Sequence, residues 1–132
     1  MFVNTRELGR SAEKLAERYL IKKGYRILER NWTCHGGELD LIASDPCGVL
    51  DVDCGRAKPP VFVEVKSIGI TGFCAPYELF GYRKQRKLLR AINKYLSLIQ
   101  YYGQDWRLDL ICLTKVPGRY VIEHFEDVLH AS

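Results

Sequence analysis

The segment Val61-Phe62-Val63-Glu64-Val65-Lys66-Ser67 is rich in β-branched residues and carries two opposite charges two positions apart. Side chains alternate across a strand, so Val61, Val63 and Val65 share one face and Phe62, Glu64 and Lys66 share the other. A Gly-containing loop follows, then a helical pattern from Tyr82 to Tyr101, then a second apolar strand, Leu108–Leu113. This strand–helix–strand unit implies a parallel pair with a right-handed crossover. It makes Val61–Ser67 a central strand covered on both faces. Two charges on the inner face of such a strand are costly unless they are paired with each other or bound to something.

Upstream, Leu8, Ala12, Leu15, Ala16, Tyr19 and Leu20 recur at helical spacing between Thr5 and Lys23, and Gly24 stands in the usual stop position. Two β-like runs, Tyr25–Trp32 and Glu38–Ala43, flank the turn Cys34-His35-Gly36-Gly37 and read as a hairpin. Ser44 to Pro60 reads as a loop. Downstream, Pro117-Gly118 separates Leu108–Leu113 from a last strand, Tyr120–Ile122. The expected architecture is α/β, in the order α-βββ-α-ββ, a mixed central sheet flanked by helices.

The 132 residues fit a single domain spanning 1–132, with no repeat or linker to divide it. With 47% hydrophobic and 27% charged residues the chain does not read as disordered. A net charge of +4 argues against a highly cationic packaging protein but leaves room for a local basic patch. No stretch approaches the roughly 20 apolar residues needed to span a bilayer. The first residues turn charged too soon for a signal peptide, so a cytoplasmic protein without membrane association is expected. Five cysteines, 34, 47, 54, 74 and 112, are then expected as reduced thiols. A zinc site from Cys34, His35, Cys47 and Cys54 fits no familiar spacing.

The second apolar strand with a misplaced charge is Gly37-Glu38-Leu39-Asp40-Leu41-Ile42, where Asp40 lies between two leucines with Glu38 on its face. If this strand and Val61–Ser67 are antiparallel neighbours, Asp40 and Glu64 converge. Two carboxylates brought together repel, and a divalent cation relieves the repulsion. Oxygen ligands beside an ammonium suit Mg²⁺ or Mn²⁺ better than zinc. A carboxylate pair, such a cation and Lys66 together supply what phosphodiester hydrolysis requires. The residues alone also allow a plain Glu64–Lys66 ion pair at a strand end, and an Asp40 on a hairpin surface edge.

On the long helix Arg83, Lys87, Arg90 and Lys94 fall on one stripe, flanked by Lys84 and Arg86. Leu88, Ile92, Tyr95 and Ile99 fall on the opposite side, toward the sheet. No acidic residue interrupts Gly81 to Ile99. The stripe fits either an ordinary solvated face or a phosphate backbone. Gln85 projects with the apolar side, where its amide needs a partner.

At GGELDLI (36–42) and VFVEVKS (61–67) the chain resembles the YraN family, bacterial proteins assigned as endonucleases. That family is placed in the restriction-endonuclease-like PD-(D/E)xK superfamily, akin to archaeal Holliday junction resolvases. The resemblance runs through Gly9-Arg10, Ala12-Glu13, Gly24-Tyr25, Asn31-Trp32, Pro76, Lys84-Gln85, Arg107-Leu108-Asp109 and His124-Phe125. It implies a restriction-endonuclease-like core and a Mg²⁺- or Mn²⁺-dependent endonuclease acting on DNA, including branched or structured DNA. By position, Asp40, Glu64 and the Val65 carbonyl would hold the metal, and Lys66 would be the catalytic lysine. Glu13 would match the family's first-helix acid and Gln85 its later glutamine. The stripe of Arg83, Lys87, Arg90 and Lys94, with the flanking Lys84, would meet nucleic acid. A homodimer is implied by analogy with the resolvases. Ser67-Ile68 stand where the family has a small residue and an Arg, Cys74 where it has glycine, and the 44–60 loop is long. Two other classes remain: a nucleic-acid-binding module that keeps the fold without catalysis, and a protein-interaction domain with a structural ion pair.

Overall fold

The computed structural model describes residues 2–4, 12–46, 58–68 and 81–129. Among these residues six strands form one mixed sheet in the spatial order β1-β6-β5-β4-β3-β2. They are β1 (Phe2–Asn4), β2 (Arg26–Cys34), β3 (Gly37–Ser44), β4 (Pro60–Ile68), β5 (Arg107–Val116) and β6 (Arg119–Phe125). Two helices among the described residues, α1 (Ala12–Lys22) and α2 (Tyr82–Leu98), pack against it. β4 and β5 are parallel, as the unit joined by α2 requires, and every other neighbouring pair is antiparallel. The expected element order holds with one addition, β1, which pairs with β6 at the sheet edge. Three residues carry too little periodicity to announce a strand. The expected start of the first helix at Thr5, most of the 44–60 loop and the loop before α2 lie outside the described residues.

The alternation in β4 is realised. Val61, Val63 and Val65 join Leu41, Ala43, Ile111 and Leu113 beneath Leu15, Ala16 and Leu20 of α1. Phe62 joins Leu39, Ile42, Leu108 and Leu110 beneath Leu88, Ala91, Ile92 and Tyr95 of α2. Each fully buried side chain of this size contributes roughly 1.5–3 kcal/mol. The two apolar layers therefore hold β4 rigidly in the middle of the molecule.

Both helices stop on the same hydrogen-bond pattern. The Tyr25 N–H reaches back to the Leu20 carbonyl (3.0 Å) and the Gly24 N–H to Ile21 (2.9 Å), with Gly24 at φ +93°. In α2 the Tyr101 N–H bonds Leu96 (2.9 Å) and the Gln100 N–H bonds Ser97 (3.1 Å), with Gln100 at φ +56°. The helix thus ends at Leu98, earlier than its apolar periodicity suggests. Ile99, expected against the sheet, is turned outward and 43% exposed.

The β2–β3 hairpin closes on the pair Cys34–Gly37, leaving His35-Gly36 as the turn. α2 lies directly on its tip. A Cβ added at Gly37 would stand 3.0 Å from both the Ala91 Cβ and the Lys87 carbonyl oxygen. Gly37→Ala is therefore expected to cost about 1–3 kcal/mol through overpacking. Urea denaturation measures this, and an unchanged midpoint would show that helix and hairpin are not in close contact.

A polar cluster closes one end of the sheet on the α1 face. Asp109, completely buried on β5, accepts from Arg107 (2.9 and 3.1 Å), from His124 Nε2 (2.8 Å) and from the Asp127 N–H (3.0 Å). Arg107 also donates to Asp45 and to the Tyr25 hydroxyl, both at 2.5 Å. The cluster joins the ends of β3 and β6 to the starts of β2 and β5. Burial is the main cause that pushes the Tyr25 hydroxyl up to about 12.

Cys34 is free, whereas Cys112 is disulfide-bonded, so the expectation of thiols throughout is corrected at Cys112. Sequence spacing does not reveal which sulfurs a fold brings together. The other three cysteines lie outside the described residues.

Candidate active site

β3 and β4 pair from Ser44–Pro60 to Leu41–Val63, and there the pairing stops. Beyond that point β3 keeps β2 as its neighbour, and β4 keeps β5. The strands part where one more step of the register would set Asp40 opposite Glu64. Side-chain alternation also breaks here: Leu39 and Ile42 both belong to the α2 layer, while Leu41 and Ala43 belong to the α1 layer. Asn31, between the paired residues Arg30 and Trp32 on β2, has φ +48°. The kink turns Asp40 into the fork, where its Oδ2 accepts a hydrogen bond from the Val65 N–H at 2.8 Å.

Glu64 meets it from the other prong. Its side chain is only 8% exposed, and its Oε1 lies 2.7 Å from Lys84 Nζ and 3.5 Å from Lys66 Nζ. The electrostatics are uneven, because Glu64 has two ammonium partners and Asp40 has a single backbone donor. Burial first, and then the negative charge of Glu64, push the Asp40 carboxyl up to about 7, with Glu13 adding to the effect. The neighbouring Lys84 and then burial hold the Lys66 ammonium below its ordinary value.

A cleft of 740 Å³ opens onto Glu64. The hairpin supplies one wall through Thr33, Gly36, Gly37 and Glu38, and α2 the other through Arg83, Lys84, Lys87 and Leu88. Nothing in the first turn of α2 is acidic, and Gly81 makes no side-chain cap. Arg83 and Lys84 stand where the positive end of the helix dipole disfavours cations, an arrangement that an anion in the cleft would relieve. On the α1 side a smaller cleft of 400 Å³ is lined by Glu13, Lys14, Glu17, Arg18 and Arg30, with Asn31 and Leu41. Arg30 Nε donates to Glu17 at 2.8 Å across it.

The structure therefore brings Asp40, Glu64, Val65 and Lys66 together, with Glu13 near enough for its charge to act on Asp40. Gln85 is half-buried, gives its backbone N–H to Gly81 (3.0 Å) and lines neither cleft. Arg83 and Lys87 are exposed on the cleft wall, and the Arg90 guanidinium lies over Gly36. Lys94 is exposed farther along α2 and does not line the cleft. Lys84 leaves the stripe and turns inward to Glu64. That contact was overlooked in the sequence, although Lys84 precedes the core residue Leu88 by one helical turn and so shares its face. Glu38, expected on the face of Asp40, lines the wall of the larger cleft, which Asp40 does not. No group of three or more Asp, Glu, His or Cys side chains with metal-holding geometry occurs among the described residues. No helix among them is long and apolar enough to cross a membrane.

Fold and site together define a mixed α/β protein with two acids and two lysines gathered where central strands diverge. The chain belongs to the uncharacterised protein family UPF0102, whose profile matches residues 12–113. It is 35% identical to the UPF0102 protein of Carboxydothermus hydrogenoformans over 127 residues, covering 96% of this chain and 98% of the relative. The UPF0102 protein of Desulforamulus reducens is 40% identical over 112 residues, 84% of either chain. That of Nocardia farcinica is 36% identical over 122 residues, covering 92% of this chain and 87% of the relative.

Proposed function

We propose that this protein is a Mg²⁺- or Mn²⁺-dependent endonuclease built on a restriction-endonuclease-like core, hydrolysing phosphodiester bonds in DNA. One observation carries the proposal: Asp40 and Glu64 are held together at the β3–β4 fork, beside Lys66 and under a basic helix. Paired buried carboxylates are destabilising by themselves, and the raised pKa of Asp40 expresses that strain. The donor set suits a hard divalent ion: carboxylate oxygens from Asp40 and Glu64, joined by the Val65 carbonyl.

When bound, such an ion would offset charge on the scissile phosphate and lower the pKa of an attacking water. The protein's own groups do the rest. Lys66 presents an ammonium at the edge of the acid pair, placed to stabilise the charge that builds on the phosphate as water adds. Arg83 and Lys87 hold the flanking backbone, and neither forms a salt bridge with a described residue. The hairpin tip, fixed against α2 at Gly37, sets the width of the cleft.

Labelled linear, single-stranded and four-way-junction DNA, incubated with Mg²⁺ or Mn²⁺, tests the proposal. Cleavage is expected for at least one substrate, to be abolished by EDTA, and to fall at least about a hundredfold in Glu64→Gln, the loss typical of removing a group that stabilises the transition state. Equal cleavage by wild type and Glu64→Gln would exclude these residues as the catalytic site. The second reading, a binding module without catalysis, is favoured by one contact, the Lys84–Glu64 ion pair that already neutralises Glu64. It predicts salt-dependent binding with no loss of substrate, weakened when Arg83, Lys87 and Arg90 are replaced together by Ala.

A further inference from the structure

We propose that Lys84 is a displaceable occupant of the cation position, holding Glu64 when no divalent ion is present and passing to the nucleic-acid phosphate when one arrives. The inference rests on the cation-dependent function proposed above. Glu64 Oε1 receives two ammonium groups, Lys84 at 2.7 Å and Lys66 at 3.5 Å. Lys66 comes from the same strand and would serve as a partner alone. Lys84 comes from a different element, makes the closer contact, and lines the cleft next to Arg83 and Lys87. Its side chain is 35% exposed, against 8% for Glu64, so it reaches the buried oxygen from the solvent side. A lysine on a flexible four-carbon stem can leave without disturbing the helix that carries it.

A divalent ion between Asp40 and Glu64 would compete for the Glu64 carboxylate with Lys84, which holds its Oε1. Entry of the ion therefore releases Lys84 into a cleft already rich in positive charge, where a phosphate is the available partner. Cation and nucleic acid should then bind cooperatively, each favouring the other by the same factor. The arrangement also keeps Glu64 compensated in the cation-free protein, so the site stays folded before loading.

The test is Mn²⁺ affinity without DNA, read by electron paramagnetic resonance of free Mn²⁺ for the full chain. Lys84→Met is expected to bind Mn²⁺ at least about tenfold more tightly than wild type. Lys87→Met removes a charge from the same cleft without touching Glu64, and is expected to change affinity by less than about threefold. Lys84→Arg keeps a cation of similar reach and should stay near wild type, with a cooperative thermal transition showing that position 84 tolerates replacement. A purely structural lysine would move the thermal transition and leave Mn²⁺ affinity alone. If Lys84→Met and wild type bind equally, and Glu64→Gln abolishes binding in both, the displacement is wrong and the cation site stands. Equal gains from Lys84→Met and Lys87→Met would reduce the effect to general charge and overturn the proposal. Failure of wild type and Lys84→Met alike to show any Glu64-dependent Mn²⁺ binding would overturn the cation site, and the displacement with it.

Discussion

Asp40→Asn is expected to make the protein more stable at pH 8 while abolishing the cation-dependent cleavage proposed above. An unfolded Asp ionises near 3.8, whereas Asp40 in the folded protein ionises at about 7, chiefly because it is desolvated and faces Glu64. Between those values the folded protein holds a proton that the unfolded chain has lost. Stability therefore falls as pH rises through that window, and remains lower above it. Taken alone, moving an ionisation that far corresponds to ~4 kcal/mol. Sharing of charge with Glu64 and solvent screening at a partly open site reduce this to about 1–3 kcal/mol. Asparagine carries no charge at any pH and keeps an oxygen to accept the Val65 N–H. Urea denaturation should thus show a gain of about 1–3 kcal/mol at pH 8 that disappears near pH 4. A loss of stability at pH 8 would mean that Asp40 is a structural anchor. The combination of higher stability with lost activity is the mark of a residue retained for chemistry.

Asp109→Ala should do the opposite, lowering stability by about 3–5 kcal/mol at pH 7, the usual cost of stranding the partners of a buried charge. Burial pushes the Asp109 carboxyl up, but His124, Arg107 and the Asp127 N–H together hold it below its ordinary value. A carboxyl whose folded pKa is depressed stabilises the fold above the ordinary carboxylate range. That contribution is lost as pH falls through the depressed value. The gap between wild type and Asp109→Ala should accordingly be full at neutral pH and close under acid conditions. Denaturant midpoints measured from pH 7 downward check this, and a neutral-pH loss below about 1 kcal/mol would show that the cluster is not a structural clamp.

The contrast between these two aspartates shows what could be read in the chain before it was folded. Asp40 and Glu64 were visible because charge interrupts strong two-residue apolar alternation, and because adjacent antiparallel strands bring such interruptions together. The central place of β4 followed from its hydrophobicity and the crossover helix. Asp109 also sits in an apolar run, Leu108 to Leu113, yet its partners come from residues 107, 124 and 127. Strand alternation puts Arg107 on the same face, but nothing in local periodicity points to residues 124 and 127. Lys84 was placed at the flank of the solvent stripe because helical angles rank residues by direction and do not say how far a long side chain reaches inward. Beside the kink at Asp40, Asn31 adopts a left-handed backbone, and a strand pattern carries no sign of that.

The most direct check is a crystal of the protein soaked in Mn²⁺ and measured at the manganese absorption edge. An anomalous peak is expected in the β3–β4 fork, within bonding distance of both the Asp40 and Glu64 carboxylates, with Lys84 moved away from Glu64. Manganese bound elsewhere, with Lys84 still on Glu64 and the fork free of anomalous signal, would contradict the assignment of this site to cation-dependent chemistry.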